Sequence, residues 1–261
     1  MKKTLISIGI WIASQIVVTL IFVIAATIAK IDIAETIAPA LAISDALVIL
    51  ILLVMRYYKA NELFQLVPGK IFLASMLLGF CSLMAVDMLA AQVDIPNMFG
   101  DMFQKMSHSI WGFFGICLIG PIMEEILMRR VILTEMSALT KSQWWGIIIS
   151  AALFAVVHVN PIQVVFAMPA GIVLGWLYCK TGSLFVPICI HIMNNTISFF
   201  TLRSGKESDL ELSSTLGIII LSACIIVTIA IIVWIVVFYH KKAIADAEQA
   251  QAAIVEPAPE N

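Results

Sequence analysis

The sequence predicts an all-α, polytopic membrane helix bundle of about eight transmembrane helices, with both termini cytoplasmic. Three observations predict it. Of the 261 residues, 62% are hydrophobic and 12% are charged, where an average soluble domain carries about 25% charge. Mean hydropathy is +1.05. Apolar runs near the length a bilayer demands, about 20 residues, recur along the chain.

Those runs lie near 4–29, 37–58, 71–93, 108–138, 143–160, 162–179, 184–200 and 215–239. The first is too long, and too poorly followed by small residues, to be a removable signal peptide, so it reads as an anchor and first span. Nothing repeats at a fixed period. The chain divides into N-terminal membrane helices (1–107), core helices (108–200), a last span with its preceding loop (201–239) and a polar tail (240–261). That tail is Ala-rich and ends near Pro257 and Pro259, which predicts a short helix fraying into disorder.

Lysine and arginine placement sets the orientation. With the N-terminus inside, Lys2, Lys3, Arg56, Lys59, Lys70, Arg129, Arg130, Lys141, Lys180, Lys241 and Lys242 fall on the inner side. Lys30, Lys105, Arg203 and Lys206 fall outside. Both termini inside requires an even number of spans. The predicted location is therefore a multi-pass protein of the cell membrane.

Composition also excludes classes of function. Basic residues number 15 against 17 acidic, so no positive excess exists to hold nucleic acid. The five cysteines, Cys81, Cys117, Cys179, Cys189 and Cys224, are scattered through apolar stretches without a CxxC pair, which favours packing over disulfides or thiolate metal sites. HExxH, GxSxG and GxxxxGKS motifs are absent, leaving zincin, serine-elbow and nucleotide chemistry unsupported.

Ionisable groups inside membrane spans are costly, so each is a functional candidate. In Pro121-Ile-Met-Glu124-Glu125-Ile-Leu-Met-Arg129-Arg130, adjacent carboxylates project about 100° apart on a helix. Glu125 and Arg129 stand at i, i+4 and can pair. Glu124 then lacks a local partner and is free to act as a general base. The second segment runs from Phe154 to His158, and the third from His191 to Asn194 and Asn195. His191 and Asn195, four apart, share a face, although polar packing between helices would also use such residues. Glu124 stands about 16 residues before the Thr140–Lys141 turn and His158 about 17 after it, so at about 1.5 Å per residue their heights match. His191 is roughly 14 Å past the Thr181–Gly182 turn by the same rise. The three segments meet if the 108–138 and 143–160 helices project beyond the bilayer, in a cavity open to the cytoplasm.

Two chemistries fit such a set. A carboxylate and a His can deprotonate water while another His and an Asn hold an oxyanion. Alternatively, Glu124, His158 and His191 could ligate a catalytic zinc. Both lead to hydrolysis of a carbonyl compound.

EExxxR (Glu124, Glu125, Arg129), FxxxH (Phe154, His158) and HxxxN (His191, Asn195), in this order on successive helices, resemble the CPBP intramembrane proteases. These are the CAAX prenyl endopeptidases and the bacteriocin-processing or self-immunity (Abi) proteins. The stretch from Gly171 through Pro187 is similar to the family's lead into its last motif. The resemblance covers about residues 108–200. It implies that Glu124 and His158 activate water, that His191 and Asn195 stabilise the oxyanion, and that Glu125 and Arg129 form a supporting ion pair. It implies a peptide or membrane-protein substrate, with no nucleic acid partner. The family carries the metalloprotease label, and a metal-free glutamate mechanism has also been proposed for it. The metal-free reading is favoured here, with zinc as the alternative. Where the family often has an aromatic residue and a Gly around the motif Arg, this chain has Met128 and Arg130, which bears on substrate fit.

Two rival readings stand beside this one. A non-catalytic immunity or scaffold protein would bind a peptide or partner without needing Glu124, His158 and Asn195 together. A solute transporter could use Asp45 and Asp87 as relay carboxylates. No inverted halves support it, and both residues can instead pair with Ser, Asn or water.

Overall fold

The computed structural model describes residues 1–205 and 214–255, and helices and turns account for all of their regular structure. Helix α1 is Lys2–Ala29, α2 Ile33–Val54, α3 Gly69–Ala90 and α4 Gly100–Met106. Helix α5 runs over Ile110–Thr140, α6 over Gln143–Val156, α7 over Pro161–Thr181, α8 over Phe185–Ser204 and α9 over Thr215–Val255. A 3₁₀ turn at Ala60–Phe64 lies between α2 and α3.

Among the described residues, seven helices are long and apolar enough to cross a membrane: α1, α2, α3, α5, α7, α8 and α9. The run expected at 143–160 forms α6, apolar but only 14 residues long, roughly 20 Å by its rise. It nevertheless carries the chain back from the end of α5 to the start of α7. Lys3 Nζ sits 5.6 Å from the Tyr57 ring and Lys70 Nζ 4.7 Å from the Phe238 ring. Tyr57 and Lys70 bracket the α2–α3 connector, so the start of α1 and residue 238 of α9 lie at one end of the bundle. That placement agrees with an even number of traverses once α6 is counted.

The structure extends two expectations. The tail does not fray after Tyr239, because α9 continues to Val255; its Ala-rich composition favours helix. The short helix α4 has no counterpart in the apolar pattern. Lys206 and residues 256–261 lie outside the described residues.

The core forms around α5. Its Met123, Ile126, Leu127, Met128 and Ile132 pack with Val48 and Leu52 of α2, Phe154 of α6 and Ile188 of α8. By contrast, only 11% of the apolar window of α1, and of α9, is buried, which leaves those helices at the periphery facing lipid. Helices α6 and α7 approach closely at Gly171. A Cβ there would stand 2.9 Å from both Cα and Cβ of Ala151, so only glycine fits. Arg130 anchors the far end of α5 to the 3₁₀ turn, with Nε donating to Glu62 at 2.5 Å and Nη2 at 3.2 Å. Glu135 accepts from the Thr4 N–H at 2.6 Å and tethers the same end to α1.

Gly171→Ala is expected to destabilise the bundle by about 1–3 kcal/mol through overpacking. Gly9→Ala, with open space around its Cβ, should be neutral or slightly stabilising; thermal unfolding in detergent compares them. Partial burial pushes the Glu62 carboxyl up, and the Arg130 hydrogen bonds and charge more than reverse this, holding it below its ordinary range. A carboxyl depressed in the folded state stabilises fully above its unfolded value and loses that contribution as pH falls through the folded value. Wild type should therefore melt above Glu62→Gln at pH 7, with the gap closing towards pH 3.

Candidate active site

Helix α5 is not a uniform α-helix. Phe113–Ile119 and Ile126–Leu133 are wound as π-helix, flanking an α segment at Gly120–Glu125. In a π turn the carbonyl of residue i accepts from the N–H of i+5. For Ile116 that partner would be Pro121, which has no N–H. The alternative α partner, Gly120, donates to Gly115 instead. The freed Ile116 carbonyl is taken by Asn195, whose Nδ2 donates to it at 2.9 Å. A proline in α5 thus creates the acceptor that ties α8 to α5, next to the two glutamates.

From there a line of charged and polar groups crosses the interior. Arg129 Nε stands 3.0 Å from Glu125 Oε2, and both side chains have no exposure. Glu125 Oε1 meets His191 Nδ1 at 2.9 Å. A carboxylate can only accept, so Nδ1 donates. His191 Nε2 then faces Glu124 Oε2 at 3.5 Å. Contact between those two atoms calls for one proton, on the imidazole or on the carboxyl. Glu124 is the member of this line that reaches the surface, with 24% of its side chain exposed against 8% for His191.

Phe154 organises the line from α6. The Arg129 guanidinium lies 4.9 Å from its ring centre, a cation–π contact that suits a desolvated arginine. Nη1 and Nη2 of Arg129 have no hydrogen-bond partner among the described residues, which makes the ring face and Glu125 its main compensation. The same ring meets His158 edge-on at 4.9 Å and His191 edge-on at 5.6 Å. Both imidazoles are therefore set against one aromatic plane. His158 Nδ1 lies 2.7 Å from the Phe154 carbonyl. A carbonyl only accepts, so Nδ1 carries a proton and, in the neutral ring, Nε2 is left as the base.

Glu125 and Arg129 form the predicted i, i+4 pair. Glu124 lacks a local partner, as expected, but faces His191 from another helix. His158 joins through Phe154; among the described residues no hydrogen bond links it to Glu124. Asn195 stands on the same helix as His191 yet spends one amide N–H on Ile116, while its Oδ1 accepts from Asn194 at 3.4 Å. Asp45 is held by Gln15 Nε2 at 2.7 Å, a paired carboxylate on α2. Among the described residues no three His, Cys, Asp or Glu side chains converge as metal ligands. Of the zinc alternative's Glu124, His158 and His191, Glu124 and His191 face each other at 3.5 Å, and both histidines pack on Phe154. The roles of Phe154 as a cation–π platform and of Pro121 as the source of a free carbonyl were missed. A proline inside a helix, three residues before an acidic pair, was the available signal.

This geometry falls in the stretch that known proteins share. Residues 106–197 match the family described as type II CAAX prenyl endopeptidase Rce1-like. The Rce1-like stretch runs from the end of α4 into α8 and contains every residue of the buried line. A curated relative, "Putative membrane peptidase YdiL" of Bacillus subtilis (strain 168), is 31% identical over 98 residues. That alignment covers 38% of this chain and 40% of the relative, so the chain spans less than half of the relative's length. No solved structure matches. The resemblance to CAAX prenyl endopeptidases read from the three motifs therefore holds, and both matched descriptions are of peptidases.

Arg129→Met should destabilise the protein by about 3–5 kcal/mol, because it leaves the Glu125 charge buried and uncompensated. Glu125→Gln/Arg129→Met should recover much of that loss, read as thermal unfolding in detergent.

Proposed function

We propose that the protein is an intramembrane endopeptidase that hydrolyses a peptide bond near the cytoplasmic membrane face. The observation that carries this reading is the line Arg129–Glu125–His191–Glu124, which places ionisable groups in an apolar interior and brings one carboxylate to the surface. A purely structural pair would end at Glu125. The Rce1-like match of residues 106–197 supports the same reaction class.

In this reading water is activated at Glu124, with His158 as the second base. Glu124 takes the water proton while the oxygen attacks the carbonyl carbon. The C=O electron pair moves onto oxygen, and a donor at that position lowers the barrier most. His191 suits this task because Glu125 fixes its Nδ1 and aims Nε2 at the space beside Glu124. Asn195 retains one amide N–H beyond that given to Ile116. Collapse of the tetrahedral species breaks the C–N bond, and the proton passes to the leaving amine. This reading assigns no step to a metal. The substrate is a peptide or the tail of a membrane protein reaching the site from the bilayer. The basic end of the bundle, with exposed Lys3 and Lys70, favours the cytoplasmic side.

Membrane and secreted peptides from cells carrying wild type and Glu124→Gln should differ by a defined set of new termini, read by mass spectrometry. Loss of the carboxylate base should reduce their yield by at least about 10²-fold. Identical termini at equal protein abundance would leave a non-catalytic peptide-binding protein instead.

A further inference from the structure

His158 stands just beyond the end of α6, and the next residue is backbone-strained. Val159 has φ of 60°, a left-handed conformation that β-branched residues rarely adopt. The turn is tight: the Asn160 N–H donates to the His158 carbonyl at 2.6 Å. Such strain persists only where surrounding structure over-determines it. Here the surrounding structure is identifiable. Asn160 occupies the N-cap position of α7, where an Asn side chain ordinarily accepts from the first turn of its own helix. It makes no such cap bond. Instead its Oδ1 accepts from the Met98 N–H at 3.0 Å, and its Nδ2 donates to Asn97 Oδ1 at 2.9 Å. Asn160 is 1% exposed, whereas Asn97 and Met98 belong to the exposed connector between α3 and α4.

We infer that Asn160 is a positioning residue for His158, and that the Asn97–Met98 segment is its anchor. The two bonds from Asn160 hold α7 against the connector, and the strained Val159 turn transmits that fixed point to the end of α6. His158 is thereby kept with Nδ1 on the Phe154 carbonyl and Nε2 open. A segment outside the family match, which begins at residue 106, would then set the tautomer of a residue inside it. The inference rests on the hydrolase reading for its purpose, but its geometry can be tested without it.

The test uses the full-length protein in lipid bilayers, labelled with ¹⁵N-histidine. There are four histidines, and the signal lost in His158→Gln assigns the ring. Wild type and Asn97→Asp, which keeps an acceptor for Asn160 Nδ2, should show His158 as a single Nδ1–H tautomer. Asn160→Ala and Asn97→Ala should show it split between the two tautomers. Asn97 is exposed, so Asn97→Ala decides the matter if Asn160→Ala fails to fold. The same variants should lower the yield of Glu124-dependent peptide ends by roughly 10-fold or more, as misplaced catalytic groups do, with Asn97→Asp restoring it. Unchanged His158 ring signals in folded Asn97→Ala would overturn the inference. Absence of any Glu124-dependent ends would overturn the hydrolase reading while leaving the ring signals to decide this one.

Discussion

A fully buried guanidinium is the constraint around which this bundle is arranged. Moving a charge from water into an apolar interior costs several kcal/mol even after relaxation, and Arg129 has no exposed surface at all. Its compensation comes from three directions. Glu125 lies one turn away on α5, Phe154 offers its ring face from α6, and His191 on α8 holds Glu125 from the other side. Remove any of these and a charge is stranded where neither water nor lipid can solvate it. The requirement brings α5, α6 and α8 together at one point, and the core residues around Met123 and Ile126 close over it.

The same network yields a graded environment. Arg129 and Glu125 are sealed, His191 is almost so, and Glu124 reaches the surface. Two carboxylates adjacent in sequence therefore have different surroundings, one structural and one accessible. The difference follows from helix geometry, because neighbouring residues on a helix point about 100° apart, and only one of them can face the arginine a turn below.

Much of this was legible in the residues. The apolar runs gave most helices to within a few positions, apart from α4 and the extension of α9 to Val255, and the i, i+4 spacing of Glu125 and Arg129 gave their pairing. The agreement of depths for Glu124 and His158 followed from rise per residue, while His191 met them only if the 108–138 and 143–160 helices project beyond the bilayer. What could not be read were contacts between residues far apart in sequence with no charge to advertise them. The Asn195 bond to the Ile116 carbonyl depends on α5 being π-wound, and periodicity analysis assumes a 3.6-residue turn. The Asn160 contacts with Asn97 and Met98 join residues more than 60 positions apart, and no local pattern links them. The length of α6 was overread because the apolar composition continues through Val157 and Val159 after the helix has ended.

The π-wound stretches of α5 give its length a meaning separate from its composition. Each wide turn holds residues that an α-helix would place further round the axis. Rewinding Phe113–Ile119 to the α form with no residue removed would swing everything beyond it by about 100°, one residue's rotation. Glu124, Glu125 and Arg129 would rotate together away from α8, their identities intact and their partners gone. Along this helix, the winding of one stretch sets the facing of the whole constellation at once.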